Sequence, residues 1–280
     1  MQRLLIAGFG DIARRALGQL ERRFQVAPLA RRYGFDLDRP DTLTLPPAEA
    51  VLHCAPPPDR GSADTRTANL LAALEKGRIL PARMVYVSTS GVYGDCAGAR
   101  VDESRPPAPQ TDRARRRLHA ELQLSEWAGT RSIPLVILRV PGIYAAERLP
   151  LERLRARTPV LCPDDDVYTS HVHADDLAAI ASRALEEDAA AGVYNAADDT
   201  EMKMGDWFDL VADTRGLPRP PRVSREAAAQ QIPGALLSFM QESRRLDNTR
   251  LKRVLGVRLR YPTVQEGVRN EHPARLDQPA

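Results

Sequence analysis

Two glycines near the start of the chain stand at the spacing of a turn that can hold a phosphate. Gly8, Gly10 and Ala13 follow the pattern G-x-G-x-x-G/A, with Asp11 and Ile12 between them. The first glycine permits a tight turn, the second lets the backbone approach a pyrophosphate, and a small third residue lets the following helix pack closely. The N–H groups at the start of that helix then face the anion. These five residues form a candidate dinucleotide site.

Two arginines occupy the position that distinguishes the two nicotinamide dinucleotides. A site for NAD usually carries Asp or Glu about 20 residues after the glycines. This sequence has Arg31 and Arg32 at that position, and the first carboxylate after the second predicted strand is Asp36. Because a guanidinium pairs bidentately with phosphate, the two arginines favour the 2′-phosphate of NADP, with NAD as the second candidate. The alternative is that both are solvated loop residues, since arginine is frequent in this chain.

The segments around these residues alternate between apolar strands and amphipathic helices. The patterns predict strands at 4–7, 25–29, 50–55, 83–88, 135–140 and 192–196, and helices at 11–23, 63–75, 111–127 and 174–185. This order predicts an α/β fold with a doubly wound parallel sheet. We expect residues 1–145 to form a dinucleotide-binding domain to which 168–198 returns, and residues 146–280 to form a smaller, mostly helical C-terminal substrate lobe. A cleft between such parts is the default ligand site.

The composition excludes several classes of protein. Forty Lys and Arg residues against 37 Asp and Glu residues give a net charge of +3, which is too balanced for a chain that mainly binds nucleic acid. Three cysteines without a CxxC pair support neither a disulfide scaffold nor a zinc ribbon. No apolar stretch approaches the roughly 20 residues of a membrane span, and the N-terminal apolar run is too short for a signal peptide. We therefore expect a cytoplasmic protein with no membrane or nucleic-acid partner.

Several further segments resemble the extended short-chain dehydrogenase/reductase family, which contains NAD-dependent epimerases and dehydratases of nucleotide sugars. The similar segments, in the family's order, are 88–94 (STSGVYG), 138–144 (LRVPGIY), 173–178 (HADDLA) and 192–195 (GVYN). The resemblance implies a Rossmann domain with a smaller C-terminal substrate lobe. It also implies a small-molecule substrate, with nucleotide sugars as one candidate class, and allows a homodimer. By the same resemblance Thr89 orients the substrate, while Ala55 and Ser88 line the cofactor site.

The catalytic Tyr-x-x-x-Lys pair of that family is absent from the chain. Aligning residues 118–121 with the family's Leu-Ala-Ala-Glu puts Arg113 at the tyrosine and Arg117 at the lysine. A guanidinium stays charged near neutral pH, so Arg113 cannot exchange the proton. Arg117 keeps the positive charge and can still hold a ribose hydroxyl of the cofactor. The nearest tyrosines by motif, Tyr93 and Tyr144, are candidates for a non-standard proton donor, and each has an alternative role as an aromatic packed under the cleft.

The altered pair leaves two functions open. The first is an NADP-dependent oxidoreductase or epimerase that uses Thr89 and a non-standard proton donor. The second is a non-catalytic protein that holds NADP(H) and reports redox state to a partner. The retained Thr89 favours the enzyme, and the missing Tyr-x-x-x-Lys pair favours the sensor.

Three other features of the sequence have structural interpretations. Residues 171–176 (HVHADD) match the opening of a di-zinc motif, but the sequence offers no second cluster of ligands, so no metal site is predicted. Carboxylates at the start of the following helix counter its dipole. Arg115 and Arg116 are expected on a solvated helix face. Arg139 is expected to be a buried charge that is satisfied locally at a strand end.

Overall fold

A six-stranded parallel sheet forms the centre of the computed structural model, which describes residues 1–270. The strands of these residues are β1 (Gln2–Ala7), β2 (Phe24–Leu29), β3 (Ala50–His53), β4 (Arg83–Thr89), β5 (Arg100–Val101), β6 (Leu135–Val140), β7 (Gly142–Tyr144), β8 (Val160–Leu161), β9 (Tyr168–Thr169), β10 (His171–His173), β11 (Gly192–Asn195), β12 (Met202–Lys203), β13 (Arg222–Val223) and β14 (Arg245–Leu246). The main sheet has the order β11-β6-β4-β3-β1-β2, and every neighbouring pair is parallel. The predicted doubly wound α/β fold is confirmed.

Helices lie on both faces of this sheet and build much of the second part of the chain. Those of the described residues are α1 (Asp11–Leu20), α2 (Thr65–Lys76), α3 (Asp112–Gly129), α4 (Leu151–Arg155), α5 (Ala174–Ala184), α6 (Met204–Thr214), α7 (Arg225–Gln231), α8 (Gly234–Leu237), α9 (Thr249–Arg253) and α10 (Val264–Asn270). Side chains fix where two of them begin, because Asp64 caps α2 and Thr111 caps α3 by accepting hydrogen bonds from backbone N–H groups. Within residues 1–270 no helix is both long and apolar enough to cross a membrane.

The sheet is buried on both faces, which explains the unbroken apolar run of its first strand. Leu4 and Ile6 of β1 belong to the hydrophobic cluster that includes residues of α1 and α5. Leu5 and Ala7 belong to the opposite cluster, which includes residues of α2 and α3. Alternate residues of a strand point to opposite faces, so a strand covered on both sides needs apolar residues at every position.

The chain after β6 leaves the sheet, builds a smaller lobe, and returns once. Strand β11 pairs with β6 at the edge of the main sheet, and α5 packs with α1. The lobe has its own cluster of buried residues, including Leu154, Trp207, Phe208 and Val211. The Asp176 carboxylate of α5 accepts hydrogen bonds from the backbone N–H groups of residues 260 and 261, which ties the late chain to α5. Residues 271–280 of the predicted lobe lie outside the described residues.

Three expectations about local structure need correction. Strand β3 ends at His53 rather than residue 55, and α1 ends at Leu20 rather than residue 23. Arg116 is not solvated, because its face of α3 packs against the loop before α2, and its guanidinium donates to the Gly61 carbonyl at 2.5 Å. Arg115 is exposed as predicted and pairs with an aspartate on its own helix.

Candidate active site

The glycine turn between β1 and α1 has the shape that its sequence predicts. Gly8 has φ +86°, and a Cβ there would lie 2.3 Å from the backbone nitrogen of Ala55, so only glycine fits against the end of β3. Gly10 is the N-cap of α1, and as a glycine it has no side chain to cap the first N–H groups of the helix. Apart from Gly10 and its two neighbours in the chain, no heavy atom of the described residues lies within 4 Å of the position of a Gly10 Cβ. This open space before uncapped helix N–H groups fits a pyrophosphate.

A carboxylate stands beside this space but is paired with cations. Asp11 accepts hydrogen bonds from Arg15 at 3.1 Å and from Arg148 at 2.9 Å. Burial opposes ionisation of the carboxyl group, but the hydrogen bonds and charges of Arg148 and Arg15 outweigh it and hold the pKa of Asp11 below its ordinary value. Arg148 belongs to the lobe, so the pair also links the lobe to the first turn of α1.

A small pocket of about 130 Å³ lies next to the glycine turn, where the adenosine end of a dinucleotide would lie. It is lined by Gly8, Leu29, Ala30, Arg31, Phe35, Asp36, Leu37, Ala55, Pro56 and Arg66. Arg31 and Ala55, two residues of the predicted cofactor site, thus line one pocket. Arg66 was missed by sequence reasoning because it comes from α2, and its Nε and Nη2 donate to the Asp38 carboxylate. Asp36 is the carboxylate of this pocket that a ribose hydroxyl could use.

The second predicted arginine has a different environment. Arg32 lies near two aromatic rings, 5.4 Å from the ring of Phe9 and 4.9 Å from the ring of Tyr33. It also donates to the Phe9 carbonyl at 3.3 Å, and it does not line the small pocket. The two ring contacts and one hydrogen bond hold this guanidinium against Phe9 and Tyr33.

Two hydroxyl groups at the end of β4 point in different directions. Thr89 lines the large cleft, and its side chain caps the short helical turn that follows by accepting from the Gly91 N–H. Ser88 is buried and donates to Glu121 at 2.5 Å. The same glutamate forms a buried ion pair with Arg139 at 2.8 Å, which confirms the structural interpretation of Arg139. The Ser88 hydroxyl is thus used inside the protein rather than at the cleft.

The two arginines that replace the family's pair lie at different depths. Arg117 donates to the Val87 carbonyl at 3.0 Å and to the Tyr86 hydroxyl at 3.2 Å, under the carboxyl edge of the sheet. Arg113 is exposed at the cleft, and its guanidinium carbon lies 4.1 Å from the ring centre of Phe239. Burial and other arginines lower the pKa of Arg113, although a nearby carboxylate opposes that shift.

Neither of the two tyrosines considered as proton donors from the sequence lines the large cleft. Tyr93 is 1% exposed, and its hydroxyl donates to Asn195 at 2.8 Å. Tyr144 is also 1% exposed, and its hydroxyl donates to the Thr263 carbonyl at 3.3 Å. Both are therefore packed below the cleft, which is the alternative role considered for them.

The large cleft, of about 510 Å³, lies between the carboxyl end of β4 and the lobe. Its lining residues are Thr89, Ser90, Gly91, Arg113, Pro141, Gly142, Ile143, Arg148, Tyr168, Thr169, Ser170, Met204, Phe239, Glu242 and Arg244. Arginine and aliphatic hydroxyl groups do not titrate near neutral pH, so Tyr168 and Glu242 are the lining side chains suited to proton exchange. A surface groove of about 680 Å³ at the β11 edge is larger but contains none of these residues.

Glu242 is the better placed of these two groups. Its Oε2 accepts from Arg244 at 2.7 Å, and its side chain is only 10% exposed. Its Oε1 is buried without a hydrogen-bond partner. A buried acceptor without a donor is rare in folded proteins and often marks a functional position. No sequence pattern identifies this residue, because it lies in an irregular part of the lobe.

The histidine-rich segment has structural partners. His173 caps α5 by accepting from the Asp175 N–H at 3.1 Å. His171 lies 4.6 Å from the ring of Trp207, and burial lowers its pKa to about 3, which keeps it neutral. Among residues 1–270 no group of three or more His, Cys, Asp or Glu side chains is arranged to hold a metal ion.

Comparisons with known proteins agree with this architecture. The model of the NAD-dependent epimerase/dehydratase family matches residues 48–197. A protein of unknown function from Silicibacter pomeroyi has a similar structure at TM-score 0.79 and 28% identity, covering 96% of this chain and 97% of that one. RMD from Pseudomonas aeruginosa, solved with NADPH, gives TM-score 0.73 and 22% identity over 96% and 97% of the two chains.

A third similar structure is the UDP-glucose 4-epimerase of Thermotoga maritima, solved with UDP-glucose. It gives TM-score 0.72 and 18% identity over 95% of this chain and 96% of that chain. No curated protein matches the chain significantly. At these identities the similarity to these two proteins supports the fold and not a shared reaction.

Proposed function

Because this chain belongs to the NAD-dependent epimerase/dehydratase family, we propose that it binds NADP(H) and is an oxidoreductase or epimerase for a small polar molecule. The observation that carries this proposal is the alignment of two sites along one sheet edge. The glycine turn follows β1, and the cleft with Thr89 follows β4. Ligand sites of open parallel sheets form at the carboxyl ends of the strands.

The cofactor half of the proposal uses residues of the β1–β4 region. Gly8, Gly10 and the first turn of α1 would hold the pyrophosphate, and Ala55 would form the wall against which the turn packs. Arg31 would pair with a 2′-phosphate, while Arg117 would stand near the nicotinamide ribose. The bound nicotinamide would supply the redox chemistry. A similar protein was solved with NADPH.

The substrate half uses the cleft and a carboxyl group in place of the family's tyrosine. Thr89 would orient a substrate hydroxyl or carbonyl. Glu242 would accept the hydroxyl proton when an alcohol is oxidised and return it when a carbonyl is reduced, with Tyr168 as the other candidate in the cleft. Arg244 would hold the Glu242 side chain in place. We propose that residues 1–145 and 168–198 form the cofactor domain and that 146–280 form the substrate lobe.

The charges that line the cleft indicate a class of substrate. Arg113, Arg148 and Arg244 line the cleft with one carboxylate, so a molecule with negative charge is favoured. Nucleotide sugars meet this requirement, and a similar protein was solved with UDP-glucose. They are therefore the first class to test.

A non-catalytic NADP(H) sensor is the alternative, and one observation favours it. The positions of the proton-exchanging pair hold Arg113 and Arg117, neither of which can supply a proton. Such a protein would bind the cofactor but would not interconvert alcohols and carbonyls.

One experiment separates the two functions. NADPH binding is measured by nicotinamide fluorescence. Turnover of a panel of nucleotide sugars, hydroxy acids and keto acids is followed at the nicotinamide absorbance band for net oxidation or reduction, and by NMR of the products for epimerisation, which leaves the cofactor unchanged. For the enzyme we expect a substrate whose kcat falls in Thr89→Ala and Glu242→Gln, but not in Glu226→Gln, a control on an exposed glutamate.

Three other results of this experiment would change the proposed function. Cofactor binding with no turnover of any compound favours the sensor. Turnover that persists in Glu242→Gln but is lost in Tyr168→Phe transfers the proton role to the tyrosine. Absence of NADPH and NADH binding contradicts the proposal itself.

A further inference from the structure

A second compartment lies next to the large cleft, within the lobe. It has a volume of about 230 Å³ and shares with the cleft Gly142, Ile143, Arg148, Thr169, Met204 and Phe239. Beyond these shared residues its wall includes the rings of Tyr144, Trp207 and Phe208. We call it the aromatic compartment. Because the two spaces share six lining residues, they lie next to each other.

The aromatic compartment contains a guanidinium group without a counter-ion. Arg153 of α4 lines it, and no ion pair joins this arginine to a carboxylate of the described residues. Its Nε and Nη2 are buried and have no hydrogen-bond partner. The guanidinium carbon lies 4.4 Å from the ring centre of Phe208, which is its one described charge-related contact. Burial alone lowers the pKa of this arginine from its ordinary value.

The two unpaired nitrogens form one edge of the guanidinium. The N–H groups of Nε and Nη2 are parallel, and this is the fork that binds both oxygens of a carboxylate or phosphate. Leaving such donors buried and unpaired is costly, and the cost is larger for a charged group than for a neutral one. An anion that reached this edge would remove that cost.

A histidine in the same compartment adds a neutral polar group. His171 lines the space, and its Nδ1 is buried without a hydrogen-bond partner. A neutral imidazole offers one donor and one acceptor, so it can bond a ligand oxygen without repelling an anion. The lining residues of the compartment include no aspartate or glutamate within the described chain.

From these contacts we propose that the aromatic compartment binds a ring-sized apolar group that carries one carboxylate or phosphate, with Arg153 as its bidentate partner. The volume suits this ligand, since a cavity of about 150 Å³ can hold benzene. The proposal rests on the proposed function only in treating this ligand as the distal part of the substrate. Binding in the compartment can be tested without any turnover.

The test uses a tryptophan that lines the compartment. The chain has two tryptophans, so Trp127→Phe leaves Trp207 as the single fluorescent reporter. This protein is titrated with benzoate, with phenyl phosphate and with the uncharged benzamide. We expect saturable quenching by at least one of the two anions and affinity at least about tenfold weaker for benzamide, which corresponds to the loss of a charge-assisted pair. The preferred anion identifies the ligand as an acid or a phosphate ester.

A matched pair of variants assigns the binding to Arg153. Arg153→Met keeps much of the apolar side chain and removes the fork, and should weaken anion binding by about tenfold or more. Arg155→Met alters an exposed arginine on the same helix and should leave it unchanged. NADPH affinity should be the same in both variants, which shows that each is folded.

Two results would overturn the proposal. One is anion binding that Arg153→Met and Arg155→Met alter equally. The other is no saturable binding of either anion, checked by saturation-transfer NMR so that a silent tryptophan is not mistaken for an empty site. If the protein fails to bind NADPH yet binds benzoate through Arg153, the proposed function fails and this site remains.

Discussion

Arg148 Nη1 lies 2.9 Å from Asp11 Oδ2, so a side chain of the lobe neutralises a carboxylate on the first turn of α1. The same arginine lines both the large cleft and the aromatic compartment. One guanidinium therefore adjoins three parts of the candidate site: the pyrophosphate cradle, the cleft and its distal extension.

This contact leads to a prediction about cofactor affinity. Arg148→Met should raise the Kd for NADPH by about fivefold, because Asp11 then repels the pyrophosphate and a charge pair near the surface is worth roughly 1 kcal/mol. The effect should shrink at high salt. Adding Asp11→Asn should restore much of the affinity. Fluorescence titrations of the single and double variants measure this, and a double variant no better than Arg148→Met alone would contradict the repulsion.

The choice between the two dinucleotides should depend mainly on Arg31. NADPH should bind more tightly than NADH, and Arg31→Ala should weaken NADPH binding by roughly 1–3 kcal/mol, the range for charge-assisted hydrogen bonds. NADH affinity should change little. Arg32→Ala should have a smaller effect, since that side chain lies against two rings outside the pocket. Equal affinities for the two cofactors in the unmodified protein would remove the case for NADP.

The space before α1 gives a test of where the pyrophosphate lies. Gly10→Val should place a branched side chain in that space, so both cofactors should bind poorly while the circular dichroism spectrum is retained. Gly18→Val is the matched control. Outside the Gly18 surroundings within α1 itself, no heavy atom of the described residues lies within 4 Å of its Cβ position, and Gly18 lies further along α1. If both variants bind NADPH equally well, the cofactor must lie elsewhere.

A buried carboxyl group after β11 predicts a pH dependence of stability. Asp198 is 3% exposed, its Oδ2 has no partner, and burial raises its pKa to about 8 from 3.8. The folded state therefore holds a proton that the unfolded state releases between these values. The free energy of unfolding should fall as pH rises through this window, by up to about 1.4 kcal/mol per unit.

Urea unfolding of the unmodified protein and of Asp198→Asn at several pH values in this window measures the change in the free energy of unfolding. The uncharged variant should lack that part of the slope and should be the more stable protein at about pH 8 and above. Parallel stability curves for the two proteins would show that Asp198 is ionised in the fold.

Much of the fold could be predicted because local patterns decide it. The strands of the main sheet are short apolar runs, and β1 needs apolar residues at successive positions because helices cover both of its faces. The glycine turn could also be predicted, since Gly8 has a backbone conformation and a neighbour that admit no side chain. In both cases nearby residues determine the structure.

The chemistry of the cleft could not be predicted in the same way. A motif locates the end of β4 but does not say how the next turn rotates each side chain. That turn leaves Thr89 in the cleft and directs Tyr93 to Asn195 in the interior. Glu242 comes from an irregular segment of the lobe and Arg153 from the short helix α4, and only tertiary packing brings them to adjoining spaces.

The return of β11 to the sheet has a consequence for protein synthesis. During translation β6 emerges well before its neighbour β11, because the first part of the lobe lies between them in sequence. Until Gly192–Asn195 has left the ribosome, the backbone of Leu135–Val140 presents an unpaired edge. Such an edge can pair with other chains. A nascent or truncated chain that ends before β11 should therefore be prone to self-association and depend on chaperones.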